Sequence, residues 1–180
     1  MTWAVDVLGI GGTDPVADAT AGRAPGAHGL RVEPSLVAER SPRWPLGPSA
    51  HIDGMRRATT KLDVLQGFVE AVAVGVADAV DALEAWAGPQ ALVLGGGASS
   101  SAGWRQLLAD AIGKPIACSL VTDESARGAA LVAFERMGNA TPPPPSLGPS
   151  VEPDDGRAAA FAELRAAQTD RPFGASWDRD

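Results

Sequence analysis

The chain has 180 residues, 45% hydrophobic and 21% charged, the size and balance of one soluble globular domain with room for an appendage. Its net charge is -7, and the absence of a Lys/Arg cluster argues against nucleic acid or an anionic membrane surface as partner. Cys118 is the single cysteine, so no intrachain disulfide can form, which fits a reducing compartment.

The start, MTWAVDVLGIGG, is apolar but lacks a basic segment and contains Asp6, so it reads poorly as a secretory signal. Asp and Glu interrupt every long apolar stretch, so no membrane-spanning helix is expected, and the expected location is the cytoplasm. Tyrosine is absent and alanine abundant, which predicts an aliphatic core with close helix contacts.

Residues 1–29 show little clean periodicity and no evident first element. LRVEPSLV (30–37) reads as a short strand broken by Pro34. The three prolines of AERSPRWPLGPS (38–49) impose a loop, and HIDGM (51–55) reads as a short strand or a turn. The clearest element is a helix over 60–86. Leu62, Leu65, Val69, Val72, Val76, Val80 and Leu83 recur at steps of three and four, the mark of one apolar face. Thr60 and Asp63 form a candidate N-terminal cap, and Gly88-Pro89 ends the helix. The stripe is read as core, unless a missing part of the protein leaves it open.

ALVLG (91–95) reads as a strand buried on both faces. Ser101 can cap the following helix, whose buried face is Trp104, Leu107, Leu108, Ala111 and Ile112, and Gly113 and Pro115 stop it. PIACSLV (115–121) is the next strand. Asp123 or Ser125 caps a further helix ending near Gly138, in which Gly128, Ala129 and Ala130 allow a close neighbour. TPPPPSLGPS (141–150) reads as a stiff linker, 154–169 as a surface helix, and the last residues as a frayed end. Strand, helix, strand, helix with short connections predicts an α/β layered fold with parallel pairing.

A strand that ends in Gly95, Gly96 and Gly97 and feeds a helix presents bare backbone N–H groups to a ligand. Glycine removes the Cβ that would hold the ligand off. GGGASS lacks the last glycine of the dinucleotide fingerprint, and no Gly-Lys-Ser/Thr follows as in a P-loop. Local sequence therefore leaves two readings, an anion or nucleotide corner and a tight turn without ligand.

GGGASSSAGWRQLLADAIGKPI followed by ESARGAALVAF resembles the C-terminal domain of FGGY-type carbohydrate kinases. Those proteins pair a Gly-Gly-Gly turn with a small polar residue, Trp-x-Gln, Ala-Asp, Gly-x-Pro and a Gly-Ala-Ala helix. PGAHGLRVEPSLVAERSPRW (25–44) and DGMRRATTKLDVLQGFVEAVAVGV (53–76) resemble upstream segments of the same domain. EPDDGRAAAFAELRAAQ resembles the last helix of the gluconokinase-like branch.

The resemblance implies an actin-like, ribonuclease-H-like ATPase fold. The chain would be the C-terminal half of a two-domain sugar kinase whose N-terminal sugar-binding domain is missing. Residues 1–139 would be the kinase domain, incomplete at its N-terminal side, 140–153 a Pro-rich linker, and 154–180 a tail helix with a frayed end. The complete enzyme would use ATP and Mg²⁺ to phosphorylate a sugar or sugar acid such as gluconate. Gly95, Gly96 and Gly97 would admit the adenosine of the nucleotide, and Ser101 would hydrogen-bond it. Trp104 and Gln106 match the motif but are expected to pack or orient the helix.

Several features depart from the family pattern. The catalytic Asp segment and the Gly-Thr phosphate loop of such kinases lie well upstream of the segment that holds Glu39 and Arg40, and neither is matched here. No catalytic residue or metal ligand is assigned. GIGGTD (9–14) lies too close to Glu39 to stand in for the phosphate loop and is expected to be a flexible turn. Ala38 replaces the family's glycine before Glu39-Arg40, a pair read as a structural ion pair. His28 and His51 have no ligand-spaced partners and are expected on the surface or in loops. Asp53 and Asp110 are caps in preference to catalytic carboxylates, Arg127 faces either the cleft or solvent, and Cys118 is buried and inert. Two other readings stand beside the kinase part: an interaction module that pairs with a separate N-terminal half or with itself, and a truncated remnant.

Overall fold

The computed structural model describes residues 2–37, 50–140 and 142–169. The expected loop at 38–49, the expected Glu39–Arg40 ion pair and the expected frayed end lie outside the described residues. The chain runs α1 (Thr2–Val7), α2 (Pro15–Thr20), β1 (Arg31–Glu33), β2 (His51–Asp53), α3 (Lys61–Ala87), β3 (Leu92–Leu94), a 3-10 turn (Gly96–Ser100), α4 (Ala102–Ile112), β4 (Ile116–Ser119), α5 (Glu124–Arg136), β5 (Leu147–Val151) and α6 (Asp155–Thr169). β1 and β2 form an antiparallel hairpin, while the second sheet has the order β3-β4-β5, with β3 parallel and β5 antiparallel to β4. Among the described residues no helix is long and apolar enough to cross a membrane.

The expected 27-residue helix is α3, opened by the Thr60–Asp63 capping box and closed by Gly88. Its apolar stripe divides. Leu65 and Val69 are fully buried, whereas Val72 and Val76 are over a third exposed and Leu83 is 61% exposed. The first half of α3 packs into a core with Ala4, Val16, Leu107 and Ile116, and the second half runs past it. The stripe is thus core in its first half and surface in its second. A shallow apolar pocket lined by Trp3, Leu36, Phe68 and Val72 lies where the two halves meet.

Several expectations are corrected. The stretch before residue 30 is not featureless: α1 and α2 form because Ala4, Val16 and Ala19 are buried against the core, a tertiary gain that six-residue helices need. β3 is not buried on both faces. Leu92 and Leu94 pair with Ile116 and Cys118 and pack on the core, but Val93, on the opposite face of the strand, is 51% exposed. The Pro-rich linker contains β5, which pairs with β4 through Ile116↔Val151 and Ala117↔Ser150. Pro149 is tolerated there because β5 is an edge strand.

The tail helix α6 is more than a surface helix. Phe161 is fully buried in the main core, and Arg157 Nε donates to Asp110 Oδ2 at 2.6 Å while its Nη1 donates to the Arg23 carbonyl. Asp110 is itself no helix cap. Fully buried, it accepts from Gln106 Nε2 and Asp154 N–H at 2.8 and 2.9 Å and ties α4 to α6.

His28 is a loop residue but not a surface one, with 2% of its side chain exposed. Its Nδ1 accepts from Leu30 N–H, leaving Nε2 to donate to Glu70 at 3.1 Å. The buried Glu70 also accepts from Gln66 and Gly26 N–H, so the loop before β1 is fastened to α3 by satisfied polar groups. Asp53 is exposed and accepts from its neighbour Gly54 N–H at 3.1 Å. Cys118 is buried, as expected.

Candidate functional site

β3 and β4 run parallel and end side by side. The glycine turn leaves the end of β3, and α5 begins shortly after the end of β4. In open α/β sheets this carboxyl end of the strands is where ligands bind. Gly96 has φ of 69°, a left-handed conformation that glycine adopts without cost. Residues Gly96–Ser100 form a 3-10 turn before α4, whereas the sequence predicted that the turn leads straight into the helix.

Two of the three serines explain the turn's shape. Ser99 Oγ donates to the Gly96 carbonyl at 2.7 Å and Ser100 Oγ to the Gly97 carbonyl at 2.8 Å. Arg105 Nη1 donates to the Ser99 carbonyl at 3.0 Å. These bonds hold the carbonyls, while the first N–H groups of a 3-10 turn have no carbonyl within it to reach. A Cβ on Gly96 or Gly97 would meet nothing within 4 Å, so main chain lies open on that side. Gly95 is different: a Cβ there would sit 3.0 Å from Glu124 Cγ and 3.6 Å from Glu124 Oε1.

Ser101 caps α4 by accepting from Trp104 N–H at 3.0 Å, as the sequence predicted. Its hydroxyl proton is committed to Asp14, whose two oxygens lie 2.8 and 2.9 Å away. A hydroxyl has one proton and two lone pairs, so Ser101 keeps one lone pair and could meet a ligand only as an acceptor.

Asp14 is the residue that sequence reasoning missed. The turn at 9–14 ends in a fixed double cap: Asp14 accepts from Ala17 N–H of α2 at 3.1 Å and from Gly103 N–H of α4 at 3.0 Å. Partial burial opposes ionisation, but the hydrogen bonds from Gly103, Ala17 and Ser101 outweigh it and hold the carboxyl below its ordinary range. The cap of α2 was readable, since Asp before Pro15 is a helix start. The reach to α4 was not, because 87 residues separate Asp14 from Ser101.

The helices meet there at backbone distance. A Cβ on Gly103 would lie 2.3 Å from Ala17 N, the close helix contact that the small-residue composition predicted. Trp104 packs against the core, and Gln106 donates to Asp110 and to the Glu152 carbonyl. Arg127 donates to the Pro143 carbonyl at 2.5 Å, so it is neither free in solvent nor part of the turn.

Open main chain at the head of a helix, beside the ends of two parallel strands, marks this as an α/β domain with a corner suited to a nucleotide. The chain belongs to the FGGY family of carbohydrate kinases, whose C-terminal domain matches residues 11–137. A glycerol kinase of Gloeobacter violaceus is 31% identical over 133 residues, covering 73% of this chain and 27% of that protein. The ligand-bound xylulose kinase of Lactobacillus acidophilus superposes with a TM-score of 0.77 at 20% identity, covering 94% of this chain and 36% of that one. The Plasmodium falciparum glycerol kinase solved with ADP superposes at 0.66 with 19% identity, over 94% of this chain and 36% of that one. The fold is therefore an α/β fold resembling the actin-like ATPase domains of sugar kinases, and the chain covers 27% of the glycerol kinase sequence and 36% of each of the two solved structures. Glycerol, xylulose and gluconate kinases stand alike among its relatives, so the likeness is to the family and not specifically to a gluconate branch within it.

Proposed function

We propose that this chain is the C-terminal, nucleotide-binding part of an ATP-dependent carbohydrate kinase. The complete enzyme transfers the γ-phosphoryl group of ATP to a hydroxyl of a small polyol, sugar or sugar acid. The gluconate acceptor expected from the tail helix is one member of that class. The observation that carries the reading is the open backbone at Gly96–Gly97 within a family of kinases. Adenosine lies on Gly96 and Gly97, and Ser101 offers its free lone pair to a donor on the base.

The described residues fit the nucleoside end of ATP. Among them no group of three or more His, Cys, Asp or Glu gathers to hold a metal. Mg²⁺ typically keeps its waters and binds through phosphates and one or two carboxylates. On this reading those contacts come from parts of a kinase outside this chain, as do the base and the sugar site, so the 180 residues alone bind nucleotide without turnover.

Calorimetric titration with ATP tests the reading. Saturable binding that Gly97→Val abolishes, with the variant's thermal melt unchanged, is the expected result. Equal binding by both proteins, or none by either, refutes it. Phosphorylation of glycerol, xylulose or gluconate by the chain alone would refute the assignment of the base to another segment.

A second reading, an interaction module that pairs with a complementary kinase segment, has its own support. α5 has no buried residue, and Val132 and Phe134 on it and Met137 at its C-cap stand exposed. The β3 edge, with Val93 half exposed, faces no strand among those described. Large exposed apolar surfaces of this kind mark interaction sites. Co-expression with the N-terminal portion of a related kinase tests it: a stable complex that phosphorylates sugar supports pairing, and two separately eluting proteins count against it.

A further inference from the structure

Among the described residues, the Glu124 carboxylate stands beside the glycine turn without a hydrogen-bond or ion-pair partner. It begins α5, one residue after the Asp123 cap. Its side chain leans across to β3, close enough to Gly95 that a Cβ there would be 3.0 Å from Cγ and 3.6 Å from Oε1. No hydrogen bond or ion pair to Glu124 occurs among the described residues, and the side chain is only partly exposed. An acidic residue in a first helical turn is favoured by the helix dipole. That accounts for the charge but not for the lean toward Gly95.

Position supplies the rest. Gly95–Gly97 follow β3 and Glu124 follows β4, the adjacent parallel strand. Dinucleotide-binding folds use the same juxtaposition: a glycine-rich turn after one strand admits the phosphates, and an acidic residue farther along accepts from the ribose hydroxyls. Here the turn carries no P-loop lysine, and a carboxylate beside it repels phosphate. The chemistry that suits this corner is an uncharged group with two adjacent O–H donors.

Resting on the nucleotide reading above, we propose that Glu124 accepts hydrogen bonds from the ribose cis-diol of the bound nucleotide and makes this turn selective for ribonucleotides. The carboxylate holds the sugar at Gly95, which leaves the base over Gly96 and Gly97 within reach of Ser101. Among the described residues no contact of the carboxylate has to be broken before it engages the diol.

The test compares titrations of the whole chain with ATP and with 2′,3′-dideoxy-ATP, using the wild type, Glu124→Gln and Glu124→Ala. Charge-assisted hydrogen bonds to a partly exposed carboxylate predict that the wild type prefers ATP by about tenfold. In Glu124→Ala the preference collapses to less than about twofold, with affinity for the dideoxy nucleotide unchanged, and Glu124→Gln lies between. Thermal melts of both variants should stay within about 3 °C of the wild type, as expected for the loss of one charge at the head of α5. Equal wild-type affinity for the two nucleotides, or a preference that survives Glu124→Ala, overturns the proposal and leaves the nucleotide reading standing. Binding of neither nucleotide overturns both.

Discussion

Replacing Asp14 by alanine should destabilise the whole domain, although the residue lies in a glycine-rich turn that sequence alone reads as dispensable. The carboxylate serves two helices at once, through Ala17 N–H of α2 and through Gly103 N–H and the Ser101 hydroxyl of α4. The lost N-cap of α2 costs about 1 kcal/mol, and the hydrogen bonds from Gly103 N–H and the Ser101 hydroxyl go with it. The sum is about 2–3 kcal/mol. For a chain of this size that lowers the melting temperature by roughly 5–10 °C, measured by circular dichroism at neutral pH.

The pH dependence fixes the cause. The folded-state pKa of Asp14 is lowered, so its stabilisation is fully present above the ordinary carboxyl value of 3.8 and is lost as pH falls through the lower folded value. The gap between wild type and Asp14→Ala should therefore be widest at neutral pH and narrow in acid. A melting point within about 1 °C of wild type would refute the double-cap account. So would a deficit that stays constant from neutral pH into acid.

Other substitutions probe the same frame. Gly103→Ala places a methyl group 2.3 Å from Ala17 N and 2.7 Å from Ala17 Cα. Backbone must shift, so the variant should lose about 3 kcal/mol in denaturant unfolding despite alanine's better helix propensity. Asp110→Ala leaves Arg157 without its carboxylate and should cost about 3 kcal/mol; hydrogen exchange should show α6 opening before α3. Gly97→Val, by contrast, meets open space and should leave the melt unchanged within about 1 °C while removing nucleotide binding.

The sequence made the local elements legible and hid the contacts between them. α3 was readable because its stripe and the Thr60–Asp63 box are short-range patterns, and α4 because Ser101 and Gly113 bracket it. The glycine turn was readable as backbone with space around it. The 3-10 geometry was not, since it depends on Ser99 and Ser100 bonding back to glycine carbonyls. β5 was hidden because Pro149 and the prolines just before the strand read as a linker, and strand pairing with β4 is a tertiary choice. Phe161 looked like one apolar residue on a polar helix; only packing against the main core shows that it is fully buried. Asp14 and Glu124 each reach a part of the turn distant in sequence, so no local pattern reports them.

The central claim is that the backbone at the end of β3 receives an adenine nucleotide. Amide chemical shifts recorded during titration with ADP read that backbone directly. The account predicts saturable shifts concentrated at Gly95, Gly96, Gly97 and Ala98, which vanish in Gly97→Val. Amides that stay fixed there while ADP perturbs another part of the chain, or that do not respond to ADP at all, would contradict it.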